Sequence, residues 1–180
     1  MTNKKIVIAA ISGSLKSSSS NTNILRTIAG IAPDHVVVRI VEGLDKLPHF
    51  NPDNDDQITS VMHFRQHLKE ADGVIFSTPE YAYGVPGVLK NALDWLVSSG
   101  ELYEKPVAVI SASPMFSGGD KALASLMLTL TALGSHVNAN CSLSIGNIKN
   151  KMSESGEVKD AETIQAMEKA LKGLINQIIR

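Results

Sequence analysis

Short, unbroken apolar runs recur along this chain, and longer stretches with helical spacing separate them. The runs Ile6-Val7-Ile8-Ala9-Ala10-Ile11, Val74-Ile75-Phe76 and Val107-Ala108-Val109-Ile110 contain no polar residue. A strand without a polar face needs cover on both sides, which places it in the middle of a parallel sheet between two layers of helices. Two further runs differ. Val137, Ala139, Cys141 and Leu143 alternate with Asn138, Asn140 and Ser142, the pattern of a strand covered on one face. Val36, Val38 and Ile40 around Val37 and Arg39 are also compatible with an edge. The spacing predicts five strands: Lys5 to Ile11, His35 to Ile40, Gly73 to Thr78, Pro106 to Ala112, and Val137 to Leu143. The clearest helix is the last, where Ile164, Met167, Leu171, Leu174, Ile175 and Ile178 step by three and four.

With strands one, three and four central and two and five at the edges, the order 2-1-3-4-5 fits best. The expected fold class is therefore α/β: a flavodoxin-like, doubly wound, five-stranded parallel sheet with helices on both faces. The 180 residues, 43% of them hydrophobic, suffice to bury one core, and residues 1–180 are read as a single domain with no linker or repeat. Two polar, turn-rich stretches stand out, Glu42 to Gln57 and Lys149 to Lys159; long loops of this kind at strand ends are often functional.

The formal net charge is -1, and Lys and Arg are scattered singly, so neither a nucleic-acid partner nor a charged membrane surface is expected. Cys141 is the single cysteine, which excludes an intrachain disulfide and a dithiol redox pair. If this chain moves electrons, a cofactor carries them. The N-terminal residues Met1-Thr2-Asn3-Lys4-Lys5 lead straight into a strand-like run. The apolar stretch Ile6 to Ile11 is too short for a signal sequence or a membrane span, and a cytoplasmic location is the expectation. His63 and His67 are four apart on a predicted helix; without a third ligand they read as surface residues, and no metal site is expected.

In an open sheet of this order, ligands bind beyond the carboxyl ends of strands one and three. After strand one comes Ser12-Gly13-Ser14-Leu15-Lys16-Ser17-Ser18-Ser19-Ser20-Asn21. Hydroxyls, one cation and a following helix N-terminus suit a terminal phosphate monoester. The spacing matches neither the Walker lysine pattern nor the dinucleotide glycine fingerprint. A flexible Ser-rich loop ending in a Ser or Asn N-cap accounts for the same residues, and composition leaves both open. After strand three comes Pro79-Glu80-Tyr81-Ala82-Tyr83-Gly84-Val85-Pro86-Gly87, then Val88 to Trp95. Two tyrosines and a proline there can flank a planar ring, or simply pack half-buried. Lys90 and Asp94 read as a solvated i,i+4 pair, and Leu89, Leu93 and Leu96 as core-facing. After strand four, Ser111 to Asp120 forms a third loop of small residues, with Asp120 near a helix start.

These residues resemble a known family, the NADPH-dependent FMN reductases, which include flavin, quinone, azo-dye and chromate reductases. The family's first signature, Gly-Ser-Leu-Arg, two residues, Ser, one residue, Asn, stands here as Gly13-Ser14-Leu15-Lys16 with Ser19 and Asn21. Its second, Pro-Glu-Tyr-Asn followed by Pro-Gly-x-Leu-Lys-Asn-Ala-x-Asp-Trp, stands as Pro79 to Ala82 and Pro86 to Trp95. Two positions depart from the pattern: Lys16 replaces the family's Arg, keeping the charge but not the bidentate fork, and Ala82 replaces its Asn.

The resemblance implies FMN with its phosphate on Ser14, Lys16, Ser19, Ser20 and Asn21, and its ring along Pro79, Glu80, Tyr81 and Ala82 and the loop of Ser113, Gly118 and Gly119. NADPH or NADH would be the reductant and a small-molecule flavin, quinone, azo compound or similar the acceptor. The cofactor does the chemistry, so no catalytic acid, base or nucleophile is assigned. A homodimer or homotetramer is expected by resemblance only. The competing expectations are a flavodoxin-like electron carrier, which is usually strongly acidic, and a non-catalytic flavin-binding module.

Overall fold

The computed structural model describes residues 5–54 and 58–180; Met1 to Lys4 and the end of the long polar loop, Asp55 to Gln57, lie outside the described residues. Five parallel strands form one sheet in the order β2-β1-β3-β4-β5. They are β1 (Ile6–Ser12), β2 (Val36–Val41), β3 (Gly73–Thr78), β4 (Pro106–Ala112) and β5 (His136–Ile145). The helices between and after them are α1 (Ser20–Ile31), α2 (Thr59–Glu70), α3 (Gly87–Asp94), α4 (Asp120–Ala132) and α5 (Ala161–Ile179). The predicted spans of β3 and β4 match to the residue, and every residue of β3 is buried, as its unbroken run required.

Each face of the sheet carries its own core. Ala9, Ile11, Val74, Phe76, Val107 and Val109 face one layer, with Phe64 and Leu68 from α2, Leu89 and Leu93 from α3, and Leu126 and Leu130 from α4. Ile8, Ala10, Ile75, Ala108 and Ile110 face the other, with Ile24, Leu25 and Ile28 from α1 and Met167, Leu171 and Leu174 from α5. Alternate residues of a continuously apolar strand thus bury into opposite layers, which explains why no polar residue interrupts them. In α5 the apolar stripe behaves as its spacing demands: Met167, Leu171, Leu174 and Ile175 are buried, while Ile164 and Ile178 pack partly buried beside them. Asp160 starts this helix by accepting from the Thr163 N–H at 2.9 Å.

One strand departs from expectation. A simple alternation puts Val137, Ala139, Cys141 and Leu143 on one face of β5. The register jumps instead from Val107↔Val137 to Val109↔Ser142, so five steps on β5 match two on β4. Three extra residues reverse the strand's faces. Val137 packs with the first core and Cys141 with the second, while Ala139 is exposed.

The motif Pro86 to Trp95 has a scaffold role visible in its contacts. Asn91 Nδ2 and Trp95 Nε1 both donate to Pro48 O at 2.9 Å, and Asn91 Oδ1 accepts from the Phe50 N–H at 2.8 Å. Phe50 meets the Trp95 ring edge-on at 5.1 Å. This clamp holds the described part of the long loop after β2 against α3. Lys90 and Asp94 form the expected exposed pair at 2.5 Å.

Candidate functional site

The carboxyl ends of β1, β3 and β4 lie side by side, with Ser12 paired to Ser77 and Thr78 to Ser111. The three loops singled out in the sequence all leave from this edge, where the winding of the sheet reverses.

The first loop leaves β1 pressed against β3. Gly13 donates its N–H to Ser77 O at 2.8 Å, and a Cβ at this position would meet Thr78 Oγ1 at 2.8 Å. A turn closes where the Ser19 N–H meets Lys16 O at 3.0 Å. Ser19 is then the N-cap of α1, its hydroxyl accepting from the Thr22 N–H. Asn21 is buried and fully engaged: Nδ2 donates to Ala112 O at 3.2 Å, and Oδ1 accepts from Ser77 Oγ at 3.0 Å. This side chain staples the first turn of α1 over the ends of β3 and β4. Ser19 and Asn21 therefore shape the loop with their side chains. Ser14 and Ser20 are half-buried and Lys16 is exposed.

What the loop leaves open defines its chemistry. The first N–H groups of α1, including those of Ser20 and Asn21, have no intrahelical acceptor. Among the described residues Lys16 makes no ion pair and the Ser20 hydroxyl has no hydrogen bond. No acidic residue stands in the first turn of α1, and the first acid in the whole chain is Asp34. Free N–H groups, hydroxyls and an ammonium form a donor set for an anion, and the positive end of α1 adds to it; Arg26 lines the adjoining cavity with Ser12 and Ser14, and Glu42 and Asp45 line it as well. The residues present fit the phosphate of FMN.

The second loop is built differently. Tyr81 and Gly84 exchange both backbone hydrogen bonds, at 3.1 and 3.0 Å, and enclose a two-residue turn. Ala82 and Tyr83 have φ of 49° and 60°, the left-handed conformation of a type I′ hairpin turn, which favours Asn and Gly. For L-residues with a full Cβ it costs about 1–2 kcal/mol each. Tyr81 is 59% and Tyr83 80% exposed, so little side-chain packing offsets that cost. Glu80 does not point to open solvent alone: its Oε2 accepts from the N–H groups of Lys121 at 2.9 Å and Ala122 at 3.0 Å, in the first turn of α4. Lys121 also bonds Asp120, and that hydrogen bond holds its ammonium above the ordinary lysine pKa.

The third loop is seated on the end of β5. Ser113 donates its N–H to Ile145 O at 3.1 Å, and its carbonyl accepts from the Ile148 N–H at 3.2 Å. Gly118 has φ +67°, and a Cβ there would meet Ser144 Oγ at 2.4 Å and Gly146 N at 2.8 Å. The glycine is needed for packing against β5. Met115 and Phe116, on the same loop, are 70% and 89% exposed. Beneath the rim the Ser111 hydroxyl is fully buried and has no hydrogen-bond partner among the described residues.

The structure thus brings Ser14, Lys16, Ser20, Pro79, Tyr81, Ala82 and Ser113 to one edge. It gives Ser19, Asn21, Glu80 and Gly118 contacts within the chain as well. Sequence reasoning missed the bond from Glu80 to α4, which spans 41 residues and leaves no local signal. It also missed the grip of Asn91 and Trp95 on Pro48, for which a signal existed: the two are four apart and share one helix face. His63 and His67 are both exposed on α2.

Comparison with known proteins gives a consistent picture. The model of the family described as NADPH-dependent FMN reductase matches residues 6–150. A quinone reductase of Escherichia coli is 32% identical over 167 residues, covering 89% of each chain. An NAD(P)H-dependent FMN reductase of Pseudomonas aeruginosa is 31% identical over 173 residues, covering 94% of this chain and 93% of its own. Among solved structures, the flavoenzyme NAD(P)H:(acceptor) oxidoreductase FerB from Paracoccus denitrificans superimposes with a TM-score of 0.87 at 26% identity, over 96% of this chain and 97% of FerB.

Proposed function

This chain belongs to the NADPH-dependent FMN reductase family, oxidoreductases that work with FMN and NAD(P)H, and from that premise we propose that it delivers reducing equivalents to a quinone. Two-electron uptake from a nicotinamide and delivery to an acceptor is the chemistry that FMN supplies when bound. The chain's own residues bind and orient. Ser14, Lys16, Ser20 and the N–H groups opening α1 hold the phosphate. Ser19 and Asn21 fix the shape of that loop. Pro79, Glu80, Tyr81, Ala82, Ser113 and Gly118 form the wall along which the ring lies.

The single observation that carries the reading is the donor set after β1, open N–H groups at the start of α1 with the Ser14 and Ser20 hydroxyls and the Lys16 ammonium, on the same sheet edge as the loops after β3 and β4. Quinone as the acceptor is supported by the names of the relatives and by the exposed rings of Tyr81, Tyr83 and Phe116, which suit a planar, largely apolar molecule. Steady-state kinetics with NADPH and NADH against a quinone, free FMN and an azo dye test it. The quinone is expected to give the highest kcat/KM; a higher value for either of the others overturns the acceptor assignment.

Three further parts belong to the same proposal. Residues 1–180 act as one domain. The setting is the cytoplasm, where a nicotinamide reductant is supplied. The assembly is a homodimer or homotetramer, a reading that rests on the resemblance to the family. Sedimentation of the purified protein decides that last point. Among the described residues no helix is long and apolar enough to cross a membrane.

A further inference from the structure

The tip of the loop after β3 is in a conformation its own residues disfavour. Both Ala82 and Tyr83 have positive φ, and neither is the Asn or Gly that a two-residue turn of this kind selects. Both side chains are exposed, so the core does not hold them. The reciprocal bonds between Tyr81 and Gly84 close the turn but do not tie it to anything else. The tie is the neighbouring side chain. Glu80 Oε2 takes two backbone N–H groups of α4, which gives the carboxylate the partners and the partial positive charge that a helix N-terminus offers. The approach is close enough that a Cβ on Gly119 would lie 3.3 Å from Glu80 Cβ. α4 is itself a fixed support, with Ala122 and Leu126 fully buried.

We propose that Glu80 is a positioning residue: by bonding the first turn of α4 it holds the Ala82–Tyr83 turn in its left-handed conformation, and so fixes the loop at which reductant or acceptor meets the site. Only the last clause rests on the function proposed above. A chain with Asn-Gly at the tip would need no such clamp, because the turn would form on its own; this chain needs it.

The test is amide hydrogen exchange at Tyr81 and Gly84 in the FMN-free protein, with the central β4 amide of Val109 as an internal reference for the fold. Glu80→Ala is expected to speed exchange at Tyr81 and Gly84 at least tenfold and to leave Val109 unchanged. Glu80→Gln, whose amide oxygen still accepts, should stay within threefold of the parent. In a background carrying Ala82→Asn and Tyr83→Gly, the effect of Glu80→Ala should shrink below threefold. No change on Glu80→Ala, or an equal change in both backgrounds, overturns the proposal, since the carboxylate would then serve α4 alone. If Glu80→Ala also exposes Val109, Glu80→Asp, one methylene shorter, takes its place in the same comparison. In the FMN-loaded protein Glu80→Ala should raise KM for the quinone about tenfold and change kcat less than threefold; an equal fall in kcat contradicts the positioning role. Failure of the parent protein to bind FMN would remove the functional reading while leaving the exchange result to stand or fall by itself.

Discussion

The loop after β1 and the loop after β3 face each other across the same sheet edge and solve opposite problems. The first keeps donors unused: around a capped helix start and a stapling Asn21 stand the Ser20 hydroxyl, the Lys16 ammonium and the opening N–H groups of α1, which bond nothing among the described residues. The second uses its polar groups on itself: Tyr81 on Gly84, Glu80 on α4, all to keep two residues at positive φ. One loop is prepared for an anion that arrives from outside. The other is a rigid wall whose exposed parts are aromatic rings. Affinity for the cofactor phosphate should therefore reside in the first loop, and discrimination among the molecules that meet the flavin in the second.

The contrast is broken most severely at Asn21. Asn21→Ala leaves Ala112 O and Ser77 Oγ without their partner in a buried place, and each unmet group costs about 1–3 kcal/mol. Global stability should fall by about 2 kcal/mol or more in urea unfolding, and FMN affinity should fall with it. A stable protein that has lost only FMN would mean that Asn21 contacts the cofactor directly and is no staple. Ser14→Ala comes next. A hydrogen bond to a charged group contributes about 1.5–3 kcal/mol, so FMN affinity should drop roughly ten- to a hundredfold, while riboflavin affinity and unfolding stability stay near the parent values. Equal losses for the two ligands would remove Ser14 from the phosphate site.

Tyr83→Ala probes the opposite wall. The ratio of kcat/KM between quinone and azo dye should shift several-fold, with FMN affinity within a few-fold of the parent. Lost flavin or lost stability with an unchanged ratio would assign Tyr83 a structural or subunit-contact role. The smallest effect is expected from Lys16→Arg. Lys16 is exposed and makes no ion pair among the described residues, so a guanidinium should leave FMN binding unchanged or tighten it. A large loss would show that the cation does not face the phosphate.

How much of this was legible before the structure depends on the range of the interactions. The buried strands β3 and β4 were readable because continuous apolar runs need cover on both faces, and α5 because its stripe steps by three and four. The strand order places the three loops at one edge of the sheet. What stayed hidden depends on contacts between distant residues. The reversal of faces in β5 comes from three residues that the pairing with β4 leaves out, while the sequence there alternates smoothly. The motifs mark Ser19, Asn21 and Gly118 as cofactor-binding residues. Their side-chain contacts, or in Gly118 the space a side chain lacks, now also serve the fold, because a motif shows residue types without showing which groups are already engaged. Ala82 is the reverse case. In the motif it is the family's Asn replaced by Ala, and its φ of 49° makes it a conformational question as well.

The account depends on the loop after β1 being a phosphate site, and one titration addresses that directly. Apoprotein is titrated with FMN and with riboflavin, which share the ring and differ in the phosphate, and flavin fluorescence reads the binding. The account predicts that FMN binds at least tenfold more tightly. Equal affinity for the two flavins would contradict it.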